Sequence, residues 1–331
     1  MHLPAVPTID VHGHYVPRSL MLETGRPTPA VSPVRTGADD FHFVFPSGAT
    51  RTLLKPLIDL EARERWMNEQ GIDVQVVSTW ADLFGYGLEP EPGIAWARRL
   101  NETLRAAIEG SNRFLAFATL PMQTTDGAIT LMEEALTDGF VGVTMGAHIE
   151  EMELDDPRLD PFWESASDLE AAVLIHPGYG PGDARTSPYG LVNAVGRGVD
   201  TTIAASRLLF AGVPHRHPGV RIVLSHGGGA LPYLIGRLGR NHGIDPDLYD
   251  PREGMTRFWF DSVVFEPEAL RLLLAIASPG SVLLGSDYPF PIGDPRPVEV
   301  VSGAGLDDVQ RVSVLGGAAR ALFRIEEGAV P

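Results

Sequence analysis

The chain has 331 residues, a formal net charge of −17, no cysteine and one lysine, Lys55. So acidic a surface repels nucleic acid and anionic lipid, and the missing cysteines exclude disulfides, thiolate metal sites and a cysteine nucleophile. A lone lysine in a polar loop argues against a pyridoxal Schiff base and against a lysine-bridged metal pair, which favours a single-metal site.

In chain order, Thr8–Val11 reads as a short buried strand, and His12 and His14 follow it. In extended backbone residues i and i+2 point to one side, so the two imidazoles can grip one ion. Residues 15–56 are rich in Pro, Gly and Ser, with a hairpin pattern around Phe41–Phe45. They are expected to form an insertion after strand one that covers the mouth of the fold. A helix over Leu57–Gln70, ended by Gly71 as a C-cap, leads to a strand at Val74–Ser78. The alternation continues with helix Gly93–Glu109, strand Phe114–Leu120, helix Asp126–Thr137, strand Gly142–Gly146, helix Asp160–Leu169 and strand Ala172–Ile175. A Gly- and Pro-rich stretch, Pro177–Asp200, reads as a lid. Helix Thr201–Val213, strand Arg221–Ser225, helix Leu231–Arg240, strand Phe258–Val263, helix Pro267–Ala277, strand Val282–Gly285 and helix Asp307–Phe323 complete the chain.

Eight apolar strands, each followed by a helix, predict a (β/α)8 TIM barrel built as a single domain over residues 1–331. The alternative is an open doubly wound sheet, which usually carries a Gly-rich phosphate loop after strand one. Here that position holds His12-Gly13-His14. No apolar run approaches the roughly 18 residues that mark a membrane span. The start, Met1-His2-Leu3-Pro4, lacks the basic-then-apolar pattern of a secretion signal, so a cytoplasmic location is expected.

Barrel enzymes carry their chemistry at the C-terminal ends of the strands. Strand one ends in His12 and His14, strand five in His176, strand six in His226 and strand eight in Asp287. Any one of these is an ordinary loop histidine or turn aspartate when taken alone. Together they supply nitrogen and oxygen donors suited to Zn2+, and also to Fe2+, Mn2+ or Co2+. His148 is a weaker pocket candidate. Asp261, placed near the middle of strand seven, reads as a structural carboxylate, with orientation of a ligand as the alternative.

The motifs Thr119-Leu120-Pro121-Met122-Gln123, Ser225-His226-Gly227-Gly228-Gly229-Ala230 and Gly285-Ser286-Asp287-Tyr288-Pro289-Phe290-Pro291 carry a family likeness. With them the chain resembles the metal-dependent decarboxylase branch of the amidohydrolase superfamily. The resemblance implies that His12, His14, His176 and Asp287 bind zinc and that His226 acts on a metal-bound water. It implies that Arg51 and Arg237 hold a substrate carboxylate, one of them across the interface of a homodimer. The implied reaction is non-oxidative decarboxylation of a carboxymuconate semialdehyde or a related unsaturated or aromatic acid. The alternatives are hydrolysis or hydration on the same metal, and an inactive barrel that serves as a binding partner. One departure stands out: the family's pocket tryptophans are absent from Tyr189-Gly190-Leu191-Val192-Asn193, so a wider or more polar pocket is expected.

Overall fold

The computed structural model describes residues 6–22, 30–37, 40–178 and 183–326. All eight expected strands are present: β1 Ile9–His14, β2 Val74–Ser78, β3 Phe114–Thr119, β4 Gly142–Gly146, β5 Ala172–His176, β6 Arg221–Leu224, β7 Phe258–Asp261 and β8 Val282–Leu283. They pair in parallel in that order. Backbone bonds bring β1 against the β8 end: Val11 N to Leu284 O and Asp287 N to His12 O, both 2.8 Å, and His14 N to Tyr288 O at 2.7 Å. The sheet is therefore a barrel, and the open doubly wound alternative is set aside.

Side chains alternate along the strands between two apolar clusters. Ile9, Val11, Val74, Val76, Leu174 and Val223 belong to one. Val77, Val143, Val173, Ile175, Ile222 and Leu224 belong to the other, with residues of the surrounding helices. The first cluster fills the barrel and the second seals it to its helices, as strands covered on both faces require.

The pairing of β1 with β2 contains an irregularity that decides where the histidines point. Ile9 and Asp10 pair with Val74 and Gln75, but Gly13 pairs with Val77, so β1 carries one extra residue between Asp10 and Gly13. Side chains alternate with a strict period of two, and one inserted residue reverses every side chain beyond it. Val11 lies in the inner cluster, and His12 and His14 also turn inward. Gly13 turns outward, where a Cβ would lie 2.6 Å from the Gln75 side chain.

The helices are α1 Leu60–Gln70, α2 Pro90–Ile108, α3 Thr125–Thr137, α4 Asp160–Asp168, α5 Arg197–Phe210, α6 Leu231–His242, α7 Pro267–Ile276 and α8 Ala318–Phe323. Several boundaries depart from expectation, and the expected helix Asp307–Phe323 is broken by a π turn at Ser313–Gly317; two other departures bear on the site. Asp59 caps α1 by accepting the Ala62 amide at 2.9 Å, so the helix starts at Leu60 rather than Leu57; Gly71 ends it in the left-handed conformation, as expected. In the expected lid, Val192–Gly196 forms a π turn that runs straight into α5 at Arg197, four residues before the expected start. Residues 179–182 of that stretch lie outside the described residues.

Between β1 and α1 a small antiparallel sheet joins Ser32–Arg35, Phe41–Phe45 and Gly48–Ala49. Phe43 is fully buried, in a cluster that includes Trp80, Leu83 and Trp96. No helix among the described residues is long and apolar enough to cross a membrane.

Candidate metal centre

Five side chains from four strand ends meet at the C-terminal mouth of the barrel. His12 Nδ1 lies 2.6 Å from Asp261 Oδ2, and His14 Nδ1 lies 3.1 Å from the Thr79 carbonyl oxygen. Both partners only accept, so both Nδ1 atoms carry the proton and donate it. Each Nε2 therefore presents a lone pair. Those two Nε2 atoms are 3.1 Å apart, where no hydrogen bond can join them. Asp287 Oδ1 faces both, 3.2 Å from His14 Nε2 and 3.5 Å from His12 Nε2. Like-polarity donors crowded this way need a cation between them.

His176 completes the cluster. Its ring centroid is 4.8 Å from that of His14 and 5.1 Å from that of His12. It is buried, and neither of its ring nitrogens has a hydrogen-bond partner. An unpartnered buried imidazole is costly unless it binds something. Donor atoms of His12, His176, His226 and Asp287 all lie within 4.8 Å of one another. His226 stands apart from the other histidines: its Nε2 faces the second oxygen, Asp287 Oδ2, at 3.6 Å, and its side chain keeps 16% of its exposure.

The electrostatics hold His14, His176 and Asp287 in the form a metal needs. Burial, followed by the neighbouring histidines, pushes His176 well below the ordinary imidazole value. Burial also lowers His14, against the pull of Asp287. Burial acts downward on His12 too, but the Asp261 contact and the Asp287 charge outweigh it and raise the group. For Asp287 burial acts upward, yet the close approach of His14 and His226 outweighs it and holds the carboxyl well below its usual range. A nitrogen-rich set with one carboxylate, a buried ring without a partner and two facing lone pairs fit a divalent ion.

Asp261 is the last residue of β7, not a mid-strand residue, and it is central to the site. Besides His12 it accepts the amides of His226 and Gly227 at 2.9 Å and of Val263 at 3.1 Å. One carboxylate thus fixes the His12 tautomer and sets the turn that aims His226. That turn is strained at His226, with φ 54°, and the segment after β8 is strained in the same way at Asp287, with φ 58°, conformations unusual for residues with a Cβ. Asp10 escaped the sequence reading. It is fully buried and accepts from His12 N, Ser286 N, Gln75 Nε2 and Ser286 Oγ. A carboxylate two residues before the first ligand was the signal.

A cavity of about 430 Å3 opens onto the centre. His176 and Asp287 line it, with Arg51, Trp80, Asn193 and Arg197 among its walls. Arg51 is placed there as expected, over the Trp80 ring at 5.2 Å and paired with Asp82 at 3.2 Å. Arg237 is not: it lies exposed on α6 and does not line the cavity of its own chain. Arg197 does, and the sequence reading missed it because it sat in the expected lid. His148 borders a neighbouring cavity of about 360 Å3.

The amidohydrolase family model matches residues 9–325, so the chain belongs to the amidohydrolase family. Within it, the chain is 34% identical over 268 residues to the 2-amino-3-carboxymuconate-6-semialdehyde decarboxylase of Dictyostelium discoideum, across 78% of this chain and 75% of that protein. It is 27% identical over 294 residues to the gamma-resorcylate decarboxylase of Rhodococcus jostii (strain RHA1), across 82% of this chain and 89% of that protein. Its fold matches the crystal structure of a dihydroxybenzoic acid decarboxylase from Polaromonas sp. JS666, solved with bound manganese and 2-nitroresorcinol. That match has a TM-score of 0.80 and 22% identity, over 98% of each chain.

Proposed function

We propose that this chain is a metal-dependent carboxy-lyase that removes CO2 from an unsaturated or aromatic carboxylic acid. The observation that carries the reading is the convergence of His12, His14, His176 and Asp287 beside a cavity that the last two line and whose walls include Arg51 and Arg197. These four residues would hold one divalent ion, which supplies Lewis-acid polarisation and activation of water.

The chain's own groups do the rest. Arginine at the wall suits a substrate carboxylate by charge and by its forked geometry. Loss of CO2 exchanges a carbon–carbon bond for a carbon–hydrogen bond, so one proton must be delivered to the substrate carbon. His226 is the histidine of the cluster with solvent exposure, and Asp287 faces its Nε2. It is the group placed to take a proton and return it. Trp80 and Phe290 wall the cavity with apolar surface, which strengthens charge interactions inside it.

Relatives named as decarboxylases leave hydrolysis of a lactone or amide unfavoured. Zinc is our assignment for the ion, and manganese is the competitor, since the Polaromonas structure holds it. Elemental analysis of the purified protein decides between them. We assign Arg237 to the cavity of a second copy in a homodimer, because it does not reach the cavity of its own chain. A strict monomer by light scattering, fully active, excludes that role. We read the small sheet over residues 32–49 and the following Arg51–Leu54 as a cover of the mouth, since Arg51, Thr52 and Leu54 line the cavity.

The reading is tested by CO2 release from metal-loaded protein given 2-amino-3-carboxymuconate-6-semialdehyde, gamma-resorcylate and carboxylated phenols in turn. Turnover of one of them is expected. Water addition without carbon loss refutes the carboxy-lyase.

A further inference from the structure

We infer that Arg197 is a specificity-determining residue that holds a second carboxylate of the substrate, so that this chain selects dicarboxylic over monocarboxylic acids. The inference rests on the carboxy-lyase reading and deepens it.

Three observations place Arg197. First, it lines the cavity that contains His176 and Asp287. Second, its guanidinium is held in place: Nε donates to Asn193 Oδ1 at 2.6 Å and Nη1 to the Pro177 carbonyl at 3.1 Å. Asn193 also lines the cavity and lies four residues earlier, on the π turn that leads into α5. Pro177 directly follows the ligand candidate His176. The arginine is thus tied both to its own helix and to the strand end that carries a metal-facing histidine. A preset guanidinium loses little side-chain entropy on binding, which raises what each contact yields.

Third, the start of α5 is locked to the site. Gly229 sits against Gly198, where a Cβ on Gly229 would come within 2.1 Å of the Gly198 carbonyl oxygen. Ala230 N donates to Thr202 Oγ1 at 2.8 Å. The loop that carries His226 therefore fixes the helix that carries Arg197. Asp200, one turn further on, feels the Arg197 charge, but it accepts the Gly178 amide and lies 3.8 Å from His148 Nε2. It does not line the cavity.

Within its own chain the cavity then has two guanidinium poles beyond the metal floor, Arg51 with Asp82 beside it and Arg197. Arg51 comes from the segment after β1 and Arg197 from the segment after β5. A monocarboxylate with its reacting group at the floor leaves one pole unused. A dicarboxylate occupies both. This also accounts for Asn193: a small polar residue leaves room for the guanidinium and braces it.

The test is binding, separate from turnover. Isothermal titration of manganese-loaded protein compares isophthalate with benzoate, and the variants are R197Q, R197K and, as a surface control away from the cavity, R98Q. Wild type is expected to prefer isophthalate by roughly tenfold to a hundredfold, the range of one charge-assisted contact. R197Q should lose that preference while its affinity for benzoate stays the same. R197K should retain part of it, and R98Q all of it. A merely structural Arg197 would weaken both ligands alike and leave their ratio unchanged, which overturns the inference. So does a wild-type protein with no preference. Failure of the carboxy-lyase reading shows separately, as isophthalate preference without CO2 release from any acid tried.

Discussion

His226 and Asp287 both occupy the left-handed backbone region, at φ 54° and 58°. Strain of this kind persists only where surrounding contacts over-determine it, and at His226 the main over-determining group is Asp261. Its carboxylate is held low because hydrogen bonding to His12 outweighs the upward effect of burial. Replacing it by Asn keeps the shape but removes the charge that fixes the His12 tautomer and one of the two oxygens that accept the three amides. Metal affinity of D261N should fall about 10–100-fold, the usual effect of losing the partner behind a metal-binding histidine. Competition titration with a chelator measures it, and unchanged affinity removes Asp261 from the centre. His226 is expected to behave in the opposite way. H226Q should keep full metal occupancy by elemental analysis and lose turnover by ~10²–10⁴-fold, the range for a proton-transfer group. Loss of the metal instead would make His226 a ligand in the place of His14.

At the scale of elements, the one-residue bulge in β1 turns an alternating strand into a ligand-bearing one. Its outward face is braced by a buried polar chain: Arg63 on α1 donates to the His14 carbonyl and to Gln75, and Gln75 donates to Asp10 at 2.6 Å. The Arg63 guanidinium is fully buried, packed over the Tyr288 ring at 4.7 Å and the Tyr15 ring at 5.7 Å. Burial pulls it down to about 10. Removing one member of such a chain leaves the others buried without partners. R63A should therefore destabilise the protein by roughly 3–5 kcal/mol in urea unfolding of the metal-free form, and a loss under about 1 kcal/mol would place Arg63 outside the brace. None of this was legible in the sequence. The eight strands were, because parallel strands buried on both faces read as apolar runs. The residues that meet at the mouth were too, because barrel chemistry sits at strand ends and those ends can be found by position. A bulge leaves no mark in periodicity, and Arg63 and Arg197 read as surface charges until the fold shows what packs against them. Arg237, by contrast, was named through likeness to a family and lies outside its own chain's cavity.

Across the whole molecule, the same centre couples stability to pH. His14 and His176 titrate below the ordinary imidazole value in the folded state, so on acidification through about 6.5 the unfolded chain takes up protons that the folded chain refuses. Stability must then fall as pH falls, by up to about 1.4 kcal/mol per pH unit for each such group. His12 has the opposite sign in the metal-free protein: its raised value lets the folded state take a proton first and offsets part of the loss. A bound ion removes that offset, because a metal-facing His12 Nε2 cannot also be protonated. The loaded protein should therefore be the more stable form at pH 7.5 and the more acid-sensitive form, with a slope of stability against pH between 6.5 and 5 steeper by about one proton's worth. Urea unfolding at half-unit pH steps, with and without excess manganese, reads both slopes. Parallel slopes would mean that His12 keeps its free nitrogen in the loaded protein, and the ion would then have to sit on His14, His176 and Asp287 without it.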